Sequence, residues 1–321
     1  MENAPGAKPR PASTATAWPL WLQPGRATQG WLLGALGVLI FALTIPMTRL
    51  ASGSLAQPQL SAVFVAMGRA ALAGLLSLGW LWLARAAWPR RNQWRPIVLS
   101  ALGVVFGWPL FLGFAVQRVD ATHAAVVSGL LPISTAVMAA LLLRQRPSAA
   151  FWACALLGTG LVLWFAAWNG SAGLQLADGL LLAAVLCSGF GYVQGAKLTV
   201  PDADGGAPMA AEQVISWVLV VSLPITLPLA WLAWPQQPIA PAAWGGFLYL
   251  AVFSMWLGFF AWYRGLAMGG VMRVSQVQLV QPFLSLWLAV PVLGESVDAA
   301  TAAFSLAVMA TVFLSKRLAS R

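Results

Sequence analysis

Ten apolar runs of about twenty residues follow one another along most of this chain. Each run is long enough to cross the hydrocarbon core of a bilayer as a helix. A segment in lipid must satisfy its own backbone hydrogen bonds, and an α-helix does so. The pattern therefore predicts an all-α polytopic membrane protein with ten transmembrane helices, over residues 31–48, 59–84, 96–116, 121–143, 149–168, 178–198, 212–234, 242–266, 271–293 and 297–315.

Charge is scarce in this chain, and its position is informative. Charged residues make up 8% of the 321 residues and apolar residues 60%, whereas a soluble domain is about one-quarter charged. The net charge of +10 comes from basic residues at the ends of apolar runs, which favours membrane topology over a phosphate-binding face. We therefore expect no binding to nucleic acid.

The basic residues also predict an orientation. With the N-terminus inside, fifteen of the 18 Lys and Arg residues fall in inner segments, two fall in outer loops and one lies within a span. Positive residues concentrate on the cytoplasmic side of membrane proteins. The distribution predicts a multi-pass protein of the inner (cytoplasmic) membrane with both termini in the cytoplasm.

One short pattern, a proline followed by a polar residue, occurs twice in the chain, and the two copies are a fixed distance apart. Pro132 is followed thirteen residues later by Gln145, and Pro282 is followed thirteen residues later by Glu295, an offset of 150 in both cases. Each half of the chain then contains five spans. Because five is odd, the second half enters the membrane from the opposite side, as in the inverted repeats of secondary transporters.

The chain accordingly divides into three parts. Residues 1–29 are rich in Ala, Pro, Ser and Thr and lack the core and cleavage site of a signal peptide, so we expect a disordered cytoplasmic tail. Residues 30–168 and 169–321 are the two predicted five-helix repeats. Neither repeat needs to be a separate domain, since the two bury one another.

These features resemble the EamA branch of the drug/metabolite transporter superfamily. The turn Leu293, Gly294, Glu295 is similar to the family's leucine-glycine-glutamate signature, and Arg69 resembles an arginine that members often carry in the second span. The first repeat departs from the pattern, because Gln145 stands where the family often has a glutamate. The resemblance implies transport of small metabolites, with substrates in the family ranging from amino acids to sugar phosphates and drugs.

The ninth span carries the strongest site prediction. Gln278, Gln281 and Ser285 share one helical face, and Pro282 frees a backbone carbonyl about one turn earlier. Such a polar stripe with loosened backbone is typical of the substrate cavity of transporters. The alternative is that the amides bond to neighbouring helices, for ~0.6 kcal/mol each. Ser128 in the fourth span belongs to a milder version of the stripe.

Three ionisable residues have two interpretations each. Arg69, placed deep in its span at a cost of ~2.5–3.5 kcal/mol, could anchor a substrate carboxylate or phosphate. It could instead be structural, bonded to helix-end carbonyls or to Glu295. Glu295 could carry a proton for coupling or gating, or cap its own turn. His123 could couple transport to protons, because histidine titrates near neutral pH. It could instead be a polar residue at the membrane interface with no role in transport.

Aromatic side chains could complete the site. The candidates are Trp108 in the third span, Tyr192 in the sixth, and Trp256 and Tyr263 in the eighth, where the last two are seven residues apart and share a helical face. They could wall a cavity for a flat or amphipathic solute. The competing interpretation for each is packing.

Other chemistry is not indicated. No phosphate-binding glycine loop, enzyme motif or metal-ligand spacing is present, and there are one histidine and two cysteines. We therefore expect no enzyme, cofactor or metal. The best prediction is a secondary transporter that exports small organic metabolites such as amino acids by alternating access. A non-transporting sensor or scaffold, or an exporter of amphipathic drugs, are the alternatives. Besides the solute and the bilayer, protons and a second copy of the chain stay open as partners.

Overall fold

The computed structural model describes residues 24–142, 149–169, 175–199, 207–269 and 275–319. Each of the ten predicted apolar runs coincides with a helical span in these residues. The spans, α1 to α10 in chain order with any internal break shown, are α1 (Pro24–Ala42, Thr44–Ser52), α2 (Ala62–Leu83), α3 (Trp94–Ala101, Leu102–Gly107, Trp108–Val116), α4 (Ala121–Ser128, Leu131–Leu142), α5 (Ala149–Asn169), α6 (Leu176–Lys197), α7 (Ala211–Leu232), α8 (Pro241–Leu248, Tyr249–Leu257, Gly258–Gly269), α9 (Ser275–Val280, Gln281–Leu293) and α10 (Ala299–Ala319).

The helices are suited to a bilayer by length and composition. Across the described ranges, seven helices have at least 18 residues and are apolar enough to cross a membrane, and two shorter apolar helices lie in α9 and α10. The predicted fold class, an all-α membrane protein of two inverted five-helix repeats, is confirmed. The first span starts earlier than predicted, at Pro24, so residues 24–29 belong to α1. The rest of the predicted tail, residues 1–23, lies outside the described residues.

Polar and apolar side chains are distributed as lipid demands. Large apolar side chains such as Trp82, Leu156 and Trp231 are exposed on the outside of the bundle. Polar side chains, including Arg69 and Gln194, are buried within it. Since lipid tails solvate the apolar surface, the polar groups gather where other helices can bond to them.

The packing of the spans follows the internal repeat. Helix α1 packs against α8 and α3 packs against α6, and these two pairs are equivalent when the first five spans are exchanged with the last five. Likewise α2 packs on α7, α4 on α9 and α5 on α10, so each of these helices contacts its own counterpart. An internal two-fold axis in the membrane plane requires these pairs. We call the end of the bundle that is predicted to face the cytoplasm the inner end, and the opposite end the outer end.

Glycines allow the closest of these contacts. A Cβ on Gly103 of α3 would lie 2.3 Å from the carbonyl oxygen of Cys187 in α6. In the equivalent pair, a Cβ on Gly265 of α8 would lie 2.6 Å from the backbone nitrogen of Gly34 in α1. Small residues let helix backbones approach within a membrane, and here they do so at both symmetric interfaces.

Within the described residues, five spans are interrupted near their middle. α1 has a turn at Leu43, α4 breaks at Gly129 and Leu130, and α9 changes from a 3₁₀ helix to an α-helix at Gln281. The remaining breaks are π-helical segments, Leu102–Gly107 in α3 and Tyr249–Leu257 in α8, which occupy equivalent places in the two repeats. π-helical turns frequently mark functional sites.

Candidate functional site

The interruptions converge on a small central cavity of about 30 Å³. All five broken spans contribute residues at or beside their breaks, and the unbroken α2 and α6 contribute the rest. The lining residues are Phe41, Thr44, Ile45, Arg69, Val104, Trp108, Leu131, Ser188, Tyr192, Ser254, Met255, Phe259 and Gln281. Irregular backbone at membrane depth occurs where it lines a cavity, and the breaks in this chain do so.

Arg69 of α2 is the charged member of the lining. Its side chain is 3% exposed, and its Nη2 donates to the Sδ of Met255 at 3.2 Å. Its Nε has no hydrogen-bond partner among the residues that the structure describes. A thioether is a weak acceptor and carries no charge, so within the described ranges the guanidinium has no counter-ion. Glu295, one of the two predicted structural partners, instead bonds to the start of α4.

The break in α1 is held by hydroxyl groups from the second repeat. Pro46 has no N–H to donate to the carbonyl of Ala42, and the hydroxyl of Ser285 in α9 donates to that carbonyl at 2.7 Å. One residue beyond the turn, the Oγ1 of Thr44 lies 2.8 Å from the Oγ of Ser254 in the π segment of α8. These bonds satisfy buried polar groups at the two breaks, and they connect α1 to α8 and α9.

The predicted stripe on α9 borders two adjoining spaces. Gln281 lines the central cavity. Gln278 and Ser128 line an adjoining void of about 10 Å³ that shares Ile45, Leu131 and Gln281 with that cavity. Ser285 also borders the void, although its hydroxyl is engaged by α1.

Unpartnered polar atoms cluster around these two spaces. The Oε1 of Gln281 and the Oγ of Ser128 are buried, and like the Nε of Arg69 they have no hydrogen-bond partner in the described part of the chain. Most buried polar atoms in proteins are bonded, and each exception calls for an explanation. A donor, an acceptor and a hydroxyl that border adjoining spaces are suited to a polar guest.

Two of the four predicted aromatic residues reach the cavity. Trp108 and Tyr192 line it. Trp256 and Tyr263 do not, because Trp256 is one residue off the face of α8 that presents Met255 and Phe259 to the cavity, and Tyr263 lies one helical turn beyond Phe259. Tyr263 is buried beside Phe259, with ring centroids 5.7 Å apart, and the indole of Trp256 packs on Phe260.

Glu295 lies at the outer end, away from the cavity. Its Oε1 accepts the backbone N–H of Ala121 and its Oε2 accepts that of Thr122, both at 2.8 Å. The carboxylate of the second repeat thus caps the N-terminus of α4 in the first repeat, where free N–H groups and the helix dipole favour a negative charge. The equivalent position in the first repeat, Gln145, lies outside the described residues.

His123 is also at the outer end. Its Nε2 lies 2.7 Å from the Oδ1 of Asp178 at the start of α6, and both side chains are largely buried. The other oxygen of Asp178 accepts the backbone N–H of Gln175, so this carboxylate also caps its own helix. Asp120, directly before the first residue of α4, pairs with Arg49 at 3.7 Å. Together with Glu295, these bonds connect α1, α4, α6 and α9 at one end of the molecule.

Asp298 completes the outer turn but points to its own helix. The hydroxyl and the backbone N–H of Thr301 bond to it and hold the pKa of its carboxyl below its usual value. It is therefore a carboxylate at neutral pH and acts as the N-cap of α10.

Sequence reasoning missed several members of the lining. Ser188, Ser254 and Met255 have side chains that are ordinary within a membrane helix. Thr44 could have been predicted, because it lies two residues before Pro46. A proline within a span weakens the helix nearby. The described residues contain no cluster of His, Cys, Asp and Glu suited to a metal.

Comparison with known proteins places the chain in a family. The model of the EamA-like transporter family matches it twice, over residues 28–166 and 175–317. The chain is 40% identical over 296 residues to a Bacillus subtilis (strain 168) protein called "Uncharacterized transporter YdeK", an alignment that covers 92% of this chain and 99% of that protein. A solved crystal structure shares the fold, with a TM-score of 0.59 and 19% identity over 92% of this chain and 98% of the other. The chain belongs to the EamA-like transporter family, within the drug/metabolite transporter superfamily, and is a multi-pass membrane transporter.

Proposed function

We propose that this transporter carries small metabolites that bear a carboxylate, such as amino acids, out of the cell by alternating access. The observation that carries the proposal is Arg69, a buried guanidinium without an anionic partner in the described residues, beside a cavity at which five spans are broken. A buried charge without a counter-ion is costly, so a solute that supplies a carboxylate to this guanidinium is favoured over a neutral one.

The other lining groups favour a zwitterionic or polar solute. The amide oxygen of Gln281 can accept a hydrogen bond from an ammonium or hydroxyl group. Trp108 and Tyr192 offer aromatic faces for the apolar part of the solute. None of the acidic residues that the structure describes lines the cavity, which disfavours the alternative of a cationic amphipathic drug.

The cavity must widen to admit any such solute. A space of about 30 Å³ holds little more than a water molecule, so the arrangement represents a closed state. Helix breaks are where the two repeats can move relative to one another with little loss of backbone hydrogen bonding. The bonds of Glu295, His123 and Arg49 at the outer end would separate when the cavity opens outward.

The proposal is tested by counterflow of labelled amino acids in proteoliposomes. Wild-type protein should exchange at least one amino acid, and Arg69→Gln and Gln281→Ala should each lower the rate by about tenfold or more, the loss expected for a charge-assisted hydrogen bond. Gln194→Ala removes another buried glutamine that does not line the cavity and should exchange at nearly the wild-type rate. Normal exchange by folded Arg69→Gln protein would refute this site.

Coupling to protons has its own test. His123 and Glu295 are the predicted coupling residues, and both take part in bonds across the outer end. Transport by His123→Ala and by Glu295→Gln is measured with and without an imposed pH gradient. If the response to the gradient is unchanged in both variants, neither residue carries the proton.

A further inference from the structure

A second, larger cavity is separate from the central one. It is a groove of about 820 Å³ on the side of the bundle, formed by the inner half of α2, the segment after it and the first half of α7. Its rim residues Leu78, Trp82 and Leu83 are exposed, so the groove opens toward the surrounding lipid. Its volume lies within the range of ligand sites, although the central cavity is where the family's solute would bind.

Four tryptophans line the inner end of the groove, which we call its head. Trp217 of α7 is nearly buried, with its ring centroid 5.1 Å from that of Trp88 and 6.2 Å from that of Trp94. Trp82 and Trp88 are each more than three-quarters exposed. Tryptophan is enriched at the level of lipid headgroups, so this end of the groove lies at the membrane interface.

The same end is strongly basic. Arg85 lines the groove, Arg90 and Arg91 follow in the short segment that joins α2 to α3, and Arg95 is in the first turn of α3. No Asp or Glu occurs between residues 84 and 95. Basic clusters directly beside a transmembrane helix attract anionic lipid headgroups.

An unsatisfied donor adds a second, independent observation. The side chain of Trp217 is 5% exposed, it lines the groove, and its Nε1–H has no hydrogen-bond partner in the described ranges. An indole N–H that is buried normally finds an acceptor. An ester or phosphate oxygen of a lipid at the head of the groove would provide one.

We propose that this groove, a site separate from the solute cavity, binds one anionic phospholipid of the inner leaflet. The phosphate pairs with Arg85 and its basic neighbours, an oxygen of the headgroup region accepts from Trp217, and the acyl chains lie along Leu78, Val221 and Pro224. A purely apolar occupant would bring no negative charge to the basic segment and no acceptor to the indole N–H. A phospholipid brings both a negative charge to the basic residues and acyl chains to the apolar lining of the groove.

The proposal is tested by native mass spectrometry. Purified protein is first equilibrated with equal amounts of phosphatidylglycerol and phosphatidylcholine. Wild-type protein should retain phosphatidylglycerol in preference. Arg85→Gln should weaken that retention by about fivefold, since one basic residue near an anionic lipid surface is replaced by a neutral one. Trp217→Phe, which removes the N–H and keeps an aromatic ring, should weaken retention without altering the charge.

Arg118→Gln is the matched control, because Arg118 is an exposed arginine at the opposite end of the molecule. It should retain phosphatidylglycerol like the wild type. Equal retention of the two lipids by wild-type protein, or retention by folded Arg85→Gln protein equal to that of the wild type, would overturn the proposal. The proposal would also be overturned if the wild-type protein formed a dimer without bound lipid and Trp88→Ala dissociated that dimer. A second copy of the chain would then fill the groove.

Discussion

The Nη2 of Arg69 donates to the Sδ of Met255 across 3.2 Å, so in the described part of the chain this guanidinium faces a thioether rather than a carboxylate. Arg69 comes from the first repeat and Met255 from the π segment of the second. The contact therefore lies between the two halves of the molecule, at the interface that would have to change in the alternating access proposed above.

Stability and transport should respond differently to Arg69→Gln. Replacement of a buried, uncompensated charge by a neutral amide should leave the free energy of unfolding unchanged or raise it by up to ~3 kcal/mol. Exchange of carboxylate solutes should fall at the same time. Thermal unfolding in detergent and counterflow are measured on the same preparation. A loss of stability with normal exchange by the remaining folded protein would show that the arginine is structural.

Glu295→Gln should loosen the outer end. A neutral amide can accept from one of the two backbone N–H groups of Ala121 and Thr122, and it loses the favourable charge at the helix N-terminus, a loss of ~1 kcal/mol. Membrane-impermeant thiol reagents added outside should then label Ser188→Cys several times faster, in a background without Cys154 and Cys187.

Asp298→Asn is the control for this prediction, because Asp298 lies in the same turn and caps only α10. It should label at the rate of its parent. Identical labelling of the two variants would mean that the carboxylate of Glu295 does not hold the outer end closed.

The interface of α3 and α6 should not tolerate a methyl group at Gly103. A Cβ there would meet the carbonyl oxygen of Cys187 at 2.3 Å, and backbone cannot move aside as a side chain can. Gly103→Ala should lower stability by ~1–3 kcal/mol, as overpacking does. Gly79→Ala, where a Cβ would meet no atom within 4 Å beyond its own stretch of helix, should be neutral or stabilising by up to ~1 kcal/mol. Thermal unfolding of the two variants should separate them clearly.

Orientation is open to direct measurement. The distribution of basic residues predicts that the loop after α7 is outside and the segment before α7 is inside. In a cysteine-free background, Gln237→Cys should react with an impermeant thiol reagent in intact cells, whereas Ala207→Cys should react only after the membrane is opened. The reverse pattern would contradict the predicted orientation.

Much of the fold was readable from the order of residues. The ten spans follow from apolar length alone, because a segment in lipid has few alternatives to a helix. The inverted repeat followed from Pro132 and Pro282, and the structure has both prolines in the first turn of the second segment of their spans. Proline is accommodated there, since the first turn of a helix needs no N–H partner.

The candidate site was predictable only in part. Gln281 and Arg69 stood out because such side chains are costly in lipid, and both line the cavity. Ser254 and Met255 could not be found in that way, as neither is unusual in a membrane helix. Trp256 and Tyr263 do not line this cavity, because Trp256 is off the face that carries Met255 and Phe259, and Tyr263 lies one turn beyond it.

The amino-acid sequence by itself determined the number of spans, their approximate bounds, the repeat and the few polar side chains that need an explanation. These depend on local length, composition and spacing, which the bilayer constrains strongly. Only the tertiary structure decided that five breaks meet at one cavity, that Glu295 caps a helix of the other repeat, and that Arg69 faces a thioether. Those facts depend on π-helical register and on contacts between distant spans, because neither the position of a π turn nor the partner of a buried side chain is set by residues adjacent in the chain.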